Sequence, residues 1–448
     1  MSFAEDLAKF REAHPEVTAA EVFLVDLNGQ SRGKRVPLEM LEKLAQGGMK
    51  MPVSSYALDI FSEDVAGAKI SLERGDPDGV LIPVPGTLGL LPWAQSPTAQ
   101  VQVQITSEDG QSDCEFDPRW VLSRVAAEAS SRGFTPVMAL ELEFYLIDPA
   151  EPLPPLDPRS GTRLSEAQIY KMDLTNSFAT ILDEIGAAAR ALGAPADTVI
   201  AEFGPGQFEM NLSHVACPVT AADHMVTLKR AIRGVARKHG MDASFMPKPY
   251  GDQSGSGMHL HMSLLDETGE NLFSTPKGVG DTARWAAGGM IETMAEFMLA
   301  FAPHPNSYRR LAPGTFAPIV AAWGLDNRGT ALRMPATQGK AARIEHRTAG
   351  SDANPYLVAA AVLAGALHGI ETQAEPPAPV VGEAGAEHGL PLPLSWWASE
   401  QRFAASETVR HWFGPELRRI FTAQKRQERA GFLARVPNTE YALYLRSF

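Results

Sequence analysis

The stretch Val137-Met-Ala-Leu-Glu-Leu-Glu-Phe-Tyr-Leu-Ile147 decides how this chain is read. Side chains on a β-strand alternate between faces, so Met138, Leu140, Leu142, Phe144 and Leu146 fall on one side and Glu141 and Glu143 on the other. Two carboxylates at this spacing stand roughly 7 Å apart. Beside so much apolar surface they are costly unless something positive neutralises them, and a metal ion is the leading candidate. An amphipathic strand whose polar face meets water is the alternative.

Three later segments repeat the pattern. In Gly206-Gln-Phe-Glu-Met-Asn-Leu212, Gln207, Glu209 and Asn211 share a face opposite Phe208, Met210 and Leu212. In Gly257-Met-His-Leu-His-Met-Ser-Leu264, His259, His261 and Ser263 stand opposite Met258, Leu260, Met262 and Leu264. In Ala342-Arg-Ile-Glu-His-Arg347, Arg343, Glu345 and Arg347 lie together. If all four strands join one sheet with their apolar backs on the core, the Glu, His and Arg faces line a single cleft, and that cleft is the expected active site.

Composition bounds the answer. The chain has 448 residues, 44% hydrophobic and 21% charged, which suits a globular enzyme with room for two domains. A net charge of −13 argues against nucleic acid or an anionic membrane as the main partner. Only Cys114 and Cys217 occur, too few for a disulfide framework or a cysteine-based zinc site. The N-terminus lacks the basic and apolar regions of a secretion signal, and no run of about 18 apolar residues suggests a membrane span. The expected location is the cytoplasm.

Along the chain, residues 3–14 read as a helix and 21–27 as a strand, followed by a turn at Asn28-Gly29. Ser31 to Arg35 has a superficial likeness to a phosphate loop but lacks the full spacing, so a solvated basic turn is expected. Residues 76–93 are turn-rich and 99–106 alternate as a strand. A small, mostly β domain, 1–112, is therefore expected to precede a larger one, 113–448, with the boundary in the polar stretch 107–118. In the second part, helical periodicity covers 119–130, 177–192, 221–239, 283–301 and 355–370. Residues 148–158 and 375–394 are expected to be loops.

The order of motifs resembles the glutamine synthetase family over nearly the whole chain. Glu141-Leu-Glu143, Gly-Pro-Gly-Gln-Phe-Glu209, Gly-Ser-Gly-Met-His259, Asn306-Ser-Tyr-Arg-Arg310-Leu-Ala-Pro-Gly314, and Asn327-Arg328 through Ala-Arg-Ile-Glu345-His-Arg347 are similar to that family's successive signatures. The resemblance implies an α+β fold: an N-terminal β-grasp domain, then a catalytic domain whose curved antiparallel sheet is flanked by helices. It also implies an ATP-dependent ligase joining the γ-carboxylate of L-glutamate to an amine through γ-glutamyl phosphate. The expected assembly is two stacked hexamers, a homododecamer with sites between subunits. The C-terminal Tyr441-Ala-Leu-Tyr-Leu-Arg-Ser-Phe448 resembles the segment that locks two rings together.

Carried over motif by motif, Glu143, Glu202 and Glu209 are expected to hold one divalent ion, and Glu141, His259 and Glu345 another. Five carboxylates and one imidazole favour Mg²⁺ or Mn²⁺. Arg328, Arg333, Arg343 and Arg347 are expected around the transferring phosphoryl group and the cleft, with Lys340, His261 and Ser263 on the ATP side. Arg310 matches the glutamate α-carboxylate site, and the Gly255 loop holds glutamate through its backbone. Each residue also has a plainer reading. Arg343 and Arg347 pair with Glu345 across a strand, His261 is a packed histidine, and Gly255 and Gly257 mark an ordinary turn.

Two departures bear on the amine. Thr315-Phe316 stands where ammonia-using members carry an aromatic residue and then a Glu, and Pro52, ahead of Ser54-Ser55, stands where they carry an Asp. Both anionic contacts to ammonium are missing, so the pattern looks more like the γ-glutamylpolyamine synthetase branch, with an alkylamine or polyamine such as putrescine as acceptor. Tyr170 falls near a family tyrosine at the amine site, at a different spacing. The alternatives are an ammonia-using glutamine synthetase, a non-catalytic assembly protein that keeps the fold, and a metal-dependent amidohydrolase.

Overall fold

The computed structural model describes residues 2–107, 110–276 and 278–448. Glu108 and Asp109, in the stretch expected to separate the two parts, lie outside the described residues. Helix α1 (Phe3–Ala13) starts on a capping box in which the Ser2 hydroxyl accepts from the Glu5 amide and the Glu5 carboxylate accepts from the Ser2 amide. There follow β1 (Ala19–Val25), β2 (Ser31–Pro37), α2 (Met40–Ala45), β3 (Lys50–Pro52), β4 (Asp78–Pro83), β5 (Gly89–Leu90) and β6 (Thr98–Ile105). These strands form one sheet in the order β2-β1-β6-β4-β3, with β5 also on β6. β1 and β6 run parallel, and the other pairs are antiparallel. The basic stretch 31–35 is thus not a turn. It is an exposed edge strand paired with β1 from Ser31 to Pro37, and its charges suit an edge that must not recruit further strands.

Next come α3 (Pro118–Ser131), β7 (Thr135–Ile147), α4 (Met172–Ser177), α5 (Ala179–Ala191), β8 (Ala196–Ala201), β9 (Gln207–Leu212), α6 (Pro218–Lys238), β10 (Asp242–Ser244) and β11 (Met258–Leu265). The short hairpin β12 (Ser274–Thr275) and β13 (Gly278–Val279) leads to α7 (Asp281–Met294), α8 (Met298–Phe301) and α9 (Ser307–Arg310). Strands β14 (Val320–Ala321), β15 (Trp323–Leu325), β16 (Leu332–Ala336) and β17 (Arg343–His346) precede α10 (Pro355–Thr372). Then β18 (Leu390–Pro391) pairs with β14, and α11 (Trp396–Ala405), α12 (Glu407–Phe413), α13 (Pro415–Leu433) and α14 (Asn438–Tyr444) close the chain.

The four amphipathic strands do join one sheet. Its order is β15-β16-β17-β11-β7-β9-β8, antiparallel except for β15 with β16, and β10 adds to the far end of β7. The apolar faces of β7, β9 and β11 are fully buried, with Leu140, Leu142, Phe144, Phe208, Met210, Met258, Leu260 and Met262 inaccessible to solvent. Helices α3 and α6 cover β7 from that side, and α5 packs on α6. Burial of one face pins the register, because a one-residue slip would turn the polar row into the core.

The helical pattern over 283–301 is interrupted: α7 ends at Met294 and α8 begins at Met298. The Phe297 ring, fully buried with its centroid 4.9 Å from that of Phe413, takes precedence over helix continuity. Helix α10 is long and apolar enough by length and composition to cross a membrane, a property the composition reading passed over, yet most of it is buried inside the protein. It packs on α7 and α3. Its contact with α7 needs glycine: a Cβ on Gly369 would sit 2.0 Å from the Trp285 carbonyl oxygen, and one on Gly289 2.3 Å from that of Gly365. Buried polar contacts tie the turn after β1 to α10 and α13. The Asn354 side chain donates to the Asp26 carbonyl at 2.8 Å, and Glu428 accepts from Asn28 at 2.8 Å.

Candidate active site

Cross-strand register builds the site. His259 lies opposite Glu141, which on its other side faces Asn211. Glu143 lies opposite Glu209, and Glu345 stands between His261 and Arg333. Glu202 follows directly on β8, where its amide donates to the Gln207 carbonyl at 3.0 Å. His259 Nδ1 is 3.5 Å from Glu141 and 3.8 Å from Glu345, and its Nε2 is 4.0 Å from Glu143. His261 Nε2 is 2.9 Å from Glu141. Two overlapping sets, Glu141/His261/Glu345 and Glu141/Glu209/His259, each bring their ligand atoms within 4.8 Å of one another. These sets differ from the grouping the family resemblance implies: Glu141 belongs to both, and His261 enters one of them.

The electrostatics fit a cationic occupant. Burial, reinforced by Glu141, Glu143, Glu202 and Glu345, drives the Glu209 carboxyl well above its usual range. Burial, then Glu143, pushes Glu202 up to about 7. Burial also acts on Glu345, but Arg347, His259 and His261 outweigh it and hold that carboxyl at about 2. Glu141 is likewise held down, because its bonds to His259 and His261 overcome burial. Carboxylates crowded until some resist ionisation are stabilised by a divalent ion, and oxygen donors dominate the set.

The arginines divide by register. Arg333 Nη1 donates to Glu345 Oε2 at 2.7 Å and its other nitrogens to Asp326, while Arg347 donates to Glu345 Oε1. The pairing read from the strand alone therefore occurs for Arg347 but not for Arg343, whose Nε donates to His261 Nδ1 at 3.1 Å. Arg310 is 6% exposed, donates to the Thr348 and Arg347 carbonyls at 2.9 and 3.1 Å, and has no ion pair among the described residues. A Cβ on Gly257 would sit 2.6 Å from Arg310 Nη2, and one on Gly255 2.8 Å from Arg310 Cγ, so both glycines are required where this loop meets the arginine. The Gly257 amide donates to Glu143 at 2.7 Å.

Not every expected residue converges in the single chain. Ser263 is buried opposite Val137, further along β11. Arg328 and Lys340 are exposed. Phe316 is 73% exposed on the loop after α9, so this chain does not enclose it, and Pro52 ends β3 half-buried. Tyr170 is exposed with a left-handed backbone, φ 57°, and its amide donates to the Ala201 carbonyl next to Glu202.

Three polar residues beside the cluster escaped the sequence reading or its assignment. A cavity of about 270 Å³ is lined by Glu141, His261 and Arg343 together with Asp197, Asn211 and His214. Burial lowers the His214 pKa, and its ring centroid lies 6.0 Å from that of His261. Asn211 was visible by alternation, but His214 lies past the end of β9, where period-two reasoning stops.

Fold and site together define a class. The family model for the glutamine synthetase catalytic domain matches residues 115–444. This chain belongs to the glutamine synthetase family. It is similar to the gamma-glutamylputrescine synthetase of Escherichia coli, 37% identical with 100% of this chain and 95% of the relative covered. It is also similar to a glutamate–isopropylamine ligase of a Pseudomonas species, 33% identical over 97% and 96% of the two chains. A solved GmaS–ADP complex superposes with a TM-score of 0.86 at 29% identity, covering 99% of this chain and 100% of that one.

Proposed function

We propose that the protein is an ATP-dependent glutamate–amine ligase that couples the γ-carboxylate of L-glutamate to a primary alkylamine or polyamine, such as putrescine, through γ-glutamyl phosphate. The observation that carries this reading is the full-length match to relatives named for ligating glutamate to putrescine and isopropylamine. The exposed Phe316 and half-buried Pro52, where ammonia-using members carry acids, support it locally.

In this reading the buried guanidinium of Arg310, which has no ion pair among the described residues, takes the α-carboxylate of glutamate, and the Gly255 loop leaves room beside it. Glu141, Glu143, Glu202, Glu209, His259 and Glu345 hold divalent ions, Mg²⁺ or Mn²⁺, whose charge when bound lets carboxylate and phosphate oxygens approach one another. Arg328, Arg333 and Arg347 stabilise charge on the phosphoryl group. His261, Ser263, Lys340 and Arg343 face the ATP phosphates. The amine attacks the acyl phosphate and displaces phosphate.

The reading extends to organisation. A boundary at 112/113 separates the N-terminal β-grasp domain from the catalytic domain, and the enzyme works in the cytoplasm, where ATP and glutamate are supplied. Stacked hexamers are supported by α14, whose Tyr441, Leu443 and Tyr444, with Leu445 just beyond its end, are all more than half exposed in the single chain, an arrangement that a second ring would cover. A fully active monomer of 48.3 kDa in light scattering would contradict this assembly. The central experiment is phosphate release from ATP with glutamate and a panel of putrescine, spermidine, ethanolamine, methylamine, isopropylamine and ammonia. kcat/KM for the best amine should exceed that for ammonia by at least about tenfold, a difference of about 1.4 kcal/mol. Ammonia matching every amine would mark an ordinary glutamine synthetase.

A further inference from the structure

A cavity of about 980 Å³, separate from the carboxylate cluster, opens between the β1–β2 turn, α6, the residues after β10 and the C-terminal part of α13. Its volume falls in the range of small-molecule sites. One wall is a row of cations on α6, Lys229, Arg233 and Arg237, spaced by four residues and therefore on one helix face. The Phe245 ring lies near two of them, with Lys229 Nζ 5.6 Å and the Arg233 guanidinium carbon 5.1 Å from its centroid. Trp93 and Trp396 also line the space.

Charge accounting around this cavity leaves a surplus of one sign. Two of its acids are engaged by cations, Glu21 with Arg230 at 2.7 Å and Glu428 with Lys425 at 2.8 Å, while Asp352 bonds the His304 ring at 2.8 Å and also acts on Lys229. Arg237 has Asp242 at 3.3 Å. Lys229 and Arg233 have no ion pair among the described residues, and Lys229 donates only to the Ser351 and Ala353 carbonyls, at 2.7 and 3.1 Å. Burial lowers the Lys229 pKa to about 7, against the opposing pull of the nearby Asp352 carboxylate. Two cations without ion pairs among the described residues, both close to one aromatic ring, favour an anion with a flat apolar body.

The cavity's walls are hydrogen-bonded to the loop of the active site. The Pro247 carbonyl accepts from the Ser256 amide at 2.8 Å, the Ser351 amide donates to the Ser256 carbonyl at 3.1 Å, and the Ser351 hydroxyl donates to the Phe245 carbonyl at 2.9 Å. Asn306 bonds the Lys248 backbone in both directions, at 2.8 and 3.0 Å. A ligand seated against Phe245 and Pro247 therefore bears on the Gly255–Gly257 loop that abuts Arg310.

We propose that this cavity binds a small aromatic oxyanion, a carboxylate or a phosphate, and that its occupancy changes glutamate binding through the Gly255–Gly257 loop. The binding part stands apart from the ligase reading, and the coupling part rests on it. The test is titration calorimetry of the full-length protein, without ATP or divalent ions, using benzoate and phenyl phosphate as the two arms and inorganic phosphate as the ring-free control. At least one aromatic probe should bind about tenfold or more tighter than inorganic phosphate, and Arg233→Glu should weaken it by about tenfold or more. Arg233→Gln and Lys229→Met, each checked for an unchanged melting profile, should weaken it in the same direction. No heat with either aromatic probe up to about 10 mM, or equal binding to wild type and Arg233→Glu, would overturn the site. Saturating probe should shift the glutamate KM of wild type by at least about threefold and leave that of Arg233→Glu unmoved, because the variant does not hold the probe. An unmoved wild-type KM despite binding would overturn the coupling, whereas absence of ligase activity with every amine would fault the functional reading and leave the calorimetry intact.

Discussion

Replacing Glu345 separates what this residue does for the fold from what it does for the reaction. Its side chain is 1% exposed and bridges Arg333 and Arg347. Arg333 keeps Asp326 when Glu345 is removed, at 2.6 Å, so the loss falls on Arg347, whose side chain is 7% exposed. Removing one partner of a buried pair costs about 3–5 kcal/mol because the other charge is left unmatched. Relief of repulsion among Glu141, Glu209 and Glu345 offsets part of this, so about 3 kcal/mol is expected for Glu345→Ala, read from urea midpoints at unchanged slope. Adding Arg347→Met removes the orphaned charge. The double variant should recover at least about 2 kcal/mol relative to the sum of the single losses. Glu345→Gln keeps an acceptor in place and should lose less stability than Glu345→Ala. ATP turnover should fall by at least about 100-fold in all three, since even residues supporting a metal ligand can have effects of that size. If Glu345→Ala is as stable as wild type, or Arg347→Met makes it worse than additive, the buried-pair reasoning is wrong.

Excess chelator should abolish ATP turnover, Mg²⁺ or Mn²⁺ should restore it, and either ion should raise the melting temperature by relieving carboxylate repulsion; turnover persisting in chelator would refute the metal assignment. Phe316→Glu should narrow the amine-to-ammonia ratio of kcat/KM, and more so with Pro52→Asp, while an unchanged ratio in the double variant would dissociate both positions from acceptor choice. Arg310→Lys should raise the glutamate KM by about tenfold or more with a smaller effect on that for ATP, because an ammonium cannot reproduce the guanidinium fork. Asp26, fully buried, is pushed up to about 6 by burial despite its bond to Arg32, so between pH 4 and 6 the folded state holds more protons than the unfolded one and stability falls as pH rises. Asp26→Asn should flatten that fall, which amounts to at most about 3 kcal/mol, and urea midpoints that decline equally in both proteins across this window would count against it.

Period-two alternation located the polar faces of β7, β9, β11 and β17 because which side a side chain takes on a strand is a local property, set by the backbone residue by residue. The apolar backs on the core and the shared sheet followed from the same pattern, as did most helices, whose spacing is equally local. Neighbours across strands are a different matter, since register depends on other segments of the chain, as with the 82 residues that separate Arg343 from His261. Alternation placed Arg343 and Arg347 on one face with Glu345, which holds for Arg347, and only the sheet sent Arg343 to His261 instead. It likewise brought His261 toward Glu141 and inserted Arg333 from β16 beside Glu345. Ends of elements were illegible for the same reason: His214 lies beyond β9, the basic stretch at 31–35 became a strand because β1 was there to pair with it, and Phe297 broke a helical pattern to fill a space beside Phe413. The cavity on α6 belongs wholly to the tertiary structure. By spacing alone Lys229, Arg233 and Arg237 form an ordinary basic helix face, and that Lys229 and Arg233, unlike Arg237, have no ion pair among the described residues emerges only when β10, the β1–β2 turn and α13 close around them.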